Sequence, residues 1–170
     1  IQKGRYADIA YVDAKDKMKV DQILKRNDIA RVFDPELRFM WSAELEDKIS
    51  GKGKAYILYA VLVPPSGKAD VGGKDIVNAV GSRSQDGTES VVNVDMTAEG
   101  AEKWAEMTTK NKGKQIAITM DDLVYSAPNV INEITDGRTV ISGNFTIESA
   151  KDLAGLLNGG ALPAPCVIKD

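Results

Sequence analysis

The sequence predicts an α+β fold: a smaller αβ lobe over residues 1–70, then a domain over 71–170 that from residue 91 runs β-α-β-β-α-β, the ferredoxin-like order with an antiparallel sheet. Three observations predict it. Strand-length alternations of apolar and polar residues recur at Val92–Met96 and Ile116–Met120, with a further short strand at Thr139–Ser142. Two stretches between them carry apolar residues at helical spacing, Ala101, Trp104, Ala105 and Thr108 in one and Ala150, Leu153, Ala154 and Leu157 in the other. A threonine suited to capping precedes each of these, Thr97 and Thr146.

In chain order, Tyr6–Val12 reads as a strand. Asp16 is placed to cap a helix with Met18, Val20, Ile23 and Leu24 on its apolar side. Asp34-Pro35 marks a turn into a short strand over Leu37–Trp41, and the charged stretch Glu44–Lys54 reads as a loop or irregular helix. Tyr56–Val63 is apolar on both faces, which predicts a central strand. The polar, glycine-bearing stretches Pro64–Lys74 and Gly81–Ser90 are the expected lobe boundary, with one helical turn between them at Asp75–Ala79. Beyond it, Asp121-Asp122 turns the chain into Leu123–Tyr125. Helices are expected near 98–110 and 147–158, Gly159 stands at a helix C′ position, and Pro163–Ile168 is a last extended segment.

The 170 residues suffice for one well-packed domain or for one with a smaller lobe. A net charge of −3 with dispersed Lys and Arg gives no basic stripe and disfavours a nucleic-acid partner. No apolar run is long enough to span a bilayer. The Ile1 start and the abrupt Lys169-Asp170 end are expected of a piece of a longer protein. Histidine is absent, which removes the commonest general base and the commonest metal ligand. Cys166 is the only cysteine, so no internal disulfide can form.

The chemical candidates are few. Asp121-Asp122 could be an acid/base pair, but aspartate tolerates positive φ, and a hairpin turn explains the pair without chemistry. Cys166 lacks a base and sits in an apolar extended segment, as a small buried hydrophobe would. Gly51-Lys52-Gly53 and Gly72-Gly73-Lys74 lack the strand–loop–helix context of a phosphate cradle. Trp41 and Trp104 hold core-like positions, while Tyr125, just before Ser126-Ala127-Pro128, is the aromatic with a surface role open to it. The sequon Asn144-Phe145-Thr146 is accounted for by Thr146 as a helix cap. No catalytic residue, metal ligand or cofactor site is expected from these residues, so a binding or mechanical role remains.

Several segments resemble one family in order along the chain. Gly73-Lys74-Asp75-Ile76 resembles its G-x-D-[LI] segment, and Thr97-Ala98-Glu99-Gly100-Ala101-Glu102-Lys103 its T-x-E-G-A-x-K helix start. Gly113–Ile118 is similar to G-x-x-[IL]-A-I, and Asp121–Pro128 to the hairpin D-G-x-V-Y-[ST]-A-P. Ile141-Ser142-Gly143 with Phe145, Thr146 and Ala150 follows I-x-G-x-[FL]-[ST]-x-x-x-A, and Gly160–Pro165 resembles G-[AS]-L-P-[AV]-P. The family is SecD, or the SecD half of a fused SecDF protein-export membrane protein, and the resemblance covers roughly residues 70–170. Two positions depart from it: Asp122 stands where the family's hairpin has glycine, and Cys166 where an aliphatic is common.

The resemblance implies an extracytoplasmic, non-catalytic domain of a Sec-translocon accessory subunit, on the periplasmic side of the bacterial inner membrane. It implies SecF and the translocon as partners and engagement of unfolded preprotein, with proton flow through membrane segments absent from this chain supplying energy. No cofactor is implied. Two contact residues for the client polypeptide are expected, Tyr125 and Pro128, and a hinge over Gly159, Gly160, Leu162 and Pro163, where two glycines meet a proline-stiffened stretch. The rival readings are a small-ligand- or peptide-binding α+β module, which needs a closed pocket with convergent polar groups, and an aspartate-dependent hydrolase built on Asp121 or Asp122.

Overall fold

The computed structural model describes residues 8–43, 46–47 and 53–159. The chain divides into two compact units, Ile1–Ala69 with Ala117–Ala127, and Asp70–Ile116 with Pro128–Asp170.

The first unit is built on one mixed sheet, with strands β1 (Asp8–Val12), β2 (Leu37–Ser42), β3 (Glu46–Asp47), β4 (Lys54–Leu62), β7 (Ile118–Met120) and β8 (Leu123–Ser126). Their order is β1-β4-β2-β8-β7, with β3 also on β4. The doubly apolar β4 is central as expected, antiparallel to β1 on one side and β2 on the other, and it buries Ala55, Ile57 and Leu58. The Asp34-Pro35 turn is closed twice, by the Leu37 N–H on the Asp34 carbonyl and the Glu36 N–H on the Asp34 carboxylate, both at 2.9 Å.

Helices α1 (Lys17–Leu24) and α2 (Asn27–Ala30) follow β1. Here the expected apolar side is corrected. Met18 is 72% and Ile23 50% exposed, and the Asp16 side chain makes no cap hydrogen bond. The packed positions are Lys17, Val20, Asp21 and Leu24, at i, i+3, i+4 and i+7, and two of them are charged. Asp21 accepts a 2.8 Å hydrogen bond from the Trp41 indole N–H, and the Lys17 ammonium lies 4.3 Å from the Tyr56 ring centre. These polar anchors displace part of the expected apolar stripe, so hydrophobic spacing placed Val20 and Leu24 correctly but not Met18 and Ile23.

In the second unit a 3₁₀ turn over Gly73–Asp75 leads into β5 (Ile76–Arg83), and β6 (Ser90–Met96) and helix α3 (Ala98–Lys110) follow. After the hairpin given to the first unit come β9 (Arg138–Phe145) and helix α4 (Ile147–Gly159). The sheet order is β5-β6-β9, antiparallel throughout. Of the helical turn expected at Asp75–Ala79, Asp75 closes the 3₁₀ turn while Ile76–Ala79 belong to strand β5. This strand also takes in Gly81, because a Cβ there would lie 2.6 Å from the Ala150 carbonyl carbon and Lys151 nitrogen of α4. That glycine marks a close approach of backbones rather than a loop.

Both capping threonines act as expected: Thr97 Oγ1 accepts from the Gly100 N–H at 3.0 Å, and Thr146 Oγ1 from the Ser149 N–H at 3.1 Å. Val92, Val94, Ile141, Ala150, Leu153 and Ala154 form the core, with Leu153 1% exposed. The ferredoxin-like topology over 91–168 is corrected. The β7-β8 hairpin does not join β6 and β9; β8 runs parallel to β2, pairing Trp41 with Leu123 and Ser42 with Val124. Periodicity finds strands but carries no information on which sheet they join. The two chains of this excursion pair with each other where they leave and rejoin the second unit, through Gly113 N–H to Val130 O and Val130 N–H to Lys114 O, both 2.8 Å.

Candidate functional site

Two sequence segments far apart in the chain converge at the N-terminus of α3. Asp75, 2% exposed, closes the 3₁₀ turn by accepting the Gly72 N–H at 2.9 Å, and its other oxygen takes the Lys103 ammonium at 3.1 Å. Its backbone carbonyl receives the Thr97 N–H at 2.9 Å. Gly100 makes this possible, since a Cβ there would sit 2.5 Å from the Asp75 carbonyl oxygen. Lys103 also pairs with Glu99 at 2.6 Å, one helical turn earlier. Gly73-Lys74-Asp75-Ile76 and Thr97–Lys103 therefore form one clasp.

Its electrostatics fit a structural role. Burial alone would push the Asp75 carboxyl up, but the Gly72 N–H and the Lys103 ammonium outweigh it and hold the group below the usual carboxylate range. The hydrogen bond from Lys103 lowers Glu99, and the bonds to Glu99 and then Asp75 raise Lys103. An ionised acid saturated by two donors, with its lysine held charged, is a poor base and a poor nucleophile.

The hairpin acids are a turn. Asp121 and Asp122 have φ of 50° and 60° and are exposed, and Met120 pairs with Leu123 across them. Positive φ at both central residues is the type I′ geometry, so Asp122 takes the left-handed conformation for which glycine is best suited. This placement lends nothing to a hydrolase reading. Among the described residues no group of three or more Cys, Asp or Glu is placed to hold a metal.

The contact candidates separate. Tyr125 is half-buried on β8, between the buried Val124 and Ser126, and falls in the first unit. Pro128 falls in the second, where its carbonyl accepts the Ile116 N–H at 3.1 Å. Of the hinge candidates, Gly159 is the last residue of α4 and is not among the residues with positive φ, so the expected C′ role is corrected to a terminal helical residue. Gly160, Leu162, Pro163 and Cys166 lie outside the described residues.

One feature of the second unit was not expected from sequence. Asn158, in the last turn of α4, donates through Nδ2 to the Ala79 carbonyl and accepts through Oδ1 from the Ala79 N–H, both at 2.8 Å. Among the described residues β5 pairs with β6 alone, so these Ala79 groups belong to the outer edge of the sheet. The only signal in the sequence was the bend-prone Asn158-Gly159-Gly160, which reads as a helix end.

The chain matches the family model described as SecDF, P1 head subdomain, over residues 47–164. It is 41% identical over 101 residues to the protein translocase subunit SecD of Rickettsia bellii, covering 59% of this chain and 20% of that one. With the subunit from Dictyoglomus turgidum it shares 44% over 100 residues, 59% of this chain and 25% of the relative, and with that from Sebaldella termitidis 40% over 122 residues, 72% and 27%. It thus spans a fifth to just over a quarter of these relatives. A crystal structure of SecDF in a super-membrane-facing form superposes with a TM-score of 0.51 at 23% identity, over 94% of this chain and 28% of that one. A structure of a membrane component SecDF that enhances protein export gives 0.50 at 22%, over 97% of each chain. Both structural likenesses speak for the fold alone. Among the described residues no helix is long and apolar enough to cross a membrane, which leaves β-barrel spans unaddressed.

Proposed function

Since the chain belongs to the SecDF P1 head subdomain family, we propose that it is the extracytoplasmic, polypeptide-handling part of a SecD-type translocase subunit. In this reading it engages unfolded preprotein during export driven by the proton-motive force, alongside SecF and the Sec translocon. Proton coupling belongs to membrane segments outside this chain. The domain itself turns over no substrate, and residues 1–70 form its variable lobe.

The observation that carries the reading is the family match, over more than half of the chain, to proteins named as translocase subunits. Physical chemistry supports it. An unfolded client has no fixed side-chain pattern, so a sequence-tolerant surface serves it better than a polar pocket. Strands β5 and β9 flank a three-stranded sheet, and main-chain pairing at such an edge is sequence-tolerant.

The test is site-specific photocrosslinking in the full-length subunit during export of a reporter preprotein. Probes at Tyr125 and Pro128 are expected to capture the translocating chain and lose it when export stops. Capture that is absent, or equal without export, overturns the client-binding reading. The hinge proposal over Gly159, Gly160, Leu162 and Pro163 is tested by Gly160→Pro, expected to lower export at an unchanged melting temperature. Export that falls only in step with stability assigns the segment to a helix end and a turn.

A further inference from the structure

We propose that Asn158 is a removable plug on the outer edge of β5, and that this edge, from Ala79 to Arg83, takes up an extended polypeptide when the plug lets go. The inference rests on the polypeptide-handling reading above and gives that reading a site.

In an antiparallel ladder, an edge residue offers its N–H and C=O as a pair, and one residue of the added strand answers with its own C=O and N–H. A primary carboxamide presents the same acceptor and donor side by side. Asn158 makes both bonds to Ala79 at 2.8 Å, so the side chain stands where one residue of an incoming strand would stand. The β5–β6 register runs unbroken from Asn78 to Arg83. Strand alternation then turns the N–H and C=O of Gly81 and Arg83 to the same outer side as those of Ala79. The edge is therefore a three-point template whose first point is already filled by an amide and whose third carbonyl, that of Arg83, accepts the Ser82 hydroxyl at 3.2 Å.

The plug is built to be exchanged. Asn158 is exposed and sits in the last turn of α4, where main-chain carbonyls lack intrahelical partners. Gly155 and Gly159 flank it, and glycine disfavours helix. Near the other end, α4 is anchored by Ala150 and Leu153, and its backbone lies against Gly81. The last turn can thus release Ala79 while the helix stays docked. An incoming strand repays both hydrogen bonds it displaces, so the swap is close to neutral, and further pairing at Gly81 and Arg83 favours the client. When no client is present the amide blocks the edge against unintended pairing.

The experiment uses the 170-residue chain and Asn158→Ala, with a fluorescein-labelled, uncharged twelve-residue peptide of alternating valine and threonine as probe. Anisotropy titration is expected to show about tenfold tighter binding by the variant, the worth of roughly one net hydrogen bond no longer competed for. In the wild type, saturating peptide is expected to slow amide exchange at Gly81 and Arg83, and the same peptide N-methylated at alternate residues is expected to do neither. Binding that is equal in the two proteins, or that leaves those amides unprotected, overturns the plug and leaves the client reading standing. No binding by either protein overturns both. Variant self-association seen by sedimentation, with protection of the same amides, assigns the edge to a second copy and overturns the client assignment. The melting temperature and the retained Leu153 core signals keep unfolding of the variant distinct from every one of these results.

Discussion

The two units solve the problem of holding a helix on a sheet in different ways. In the second, backbones touch: Gly81 and Gly100 leave no room for a Cβ against α4 and against the Asp75 carbonyl, and Leu153 seals the core. In the first, side chains reach: Asp21 holds the Trp41 indole, Lys17 lies over Tyr56, and its described glycines Gly53 and Gly67 have nothing within 4 Å of an added Cβ. Backbone contact gives a dense interior that tolerates little change of volume, whereas polar bridging leaves Met18 and Ile23 facing solvent and spreads the stabilisation over exchangeable hydrogen bonds.

Truncation in the dense interior is the hardest blow. Leu153→Ala is expected to cost about 2–5 kcal/mol in denaturant melts, from lost transfer energy and the cavity left behind. Adding volume comes next: Gly81→Ala should cost about 1–3 kcal/mol, because the neighbours are backbone atoms that cannot swing aside. A loss below 0.5 kcal/mol, roughly the surface-substitution level, would mean that α4 can slide and that the second unit is not backbone-packed.

Asp75→Asn should cost about 1–3 kcal/mol at neutral pH, since the amide cannot satisfy the Lys103 ammonium as a carboxylate does. Its pH signature is the sharper readout. The folded-state value is lowered, so the stabilisation is fully present above the ordinary carboxylate value, about 3.9, and is lost as pH falls through the lowered one. The wild type should therefore lose more stability than the variant between neutral pH and that acid range, and parallel acid limbs would remove Asp75 from the account.

In the first unit Asp21→Ala is expected to cost about 1 kcal/mol, a single hydrogen bond to a part-buried indole. A loss matching Leu153→Ala would erase the contrast between the units. The smallest effect has the opposite sign: Asp122→Gly should stabilise by about 0.5–1 kcal/mol, by relieving a left-handed aspartate at φ 60°.

What the sequence made legible follows from what periodicity encodes. Helices α3 and α4, their threonine caps and the central strand β4 rest on local spacing, and local spacing reported them correctly. Glycine misled twice. Gly81 looked like a loop because a residue without a side chain cannot say whether it serves a turn or a close contact. Gly159 looked like a helix stop and remained helical. The pairing of β8 with β2 and the Asn158 bond to Ala79 depend on partners remote in sequence, and no local pattern carries them. Tyr125 and Pro128, three residues apart in the same motif, fall in different units for the same reason.

The β7-β8 excursion also bears on biosynthesis. Position 41 waits for position 123 before β2 gains its parallel neighbour, and the intervening residues include β5, β6 and α3 of the other unit. A chain delivered from its N-terminus thus leaves one flank of β2 uncovered until β8 has been made. Parallel pairing across so long a loop is slow to form. A fragment ending near residue 70 would lack β7 and β8 and leave that flank uncovered, so the first unit is not a consecutive segment of the chain.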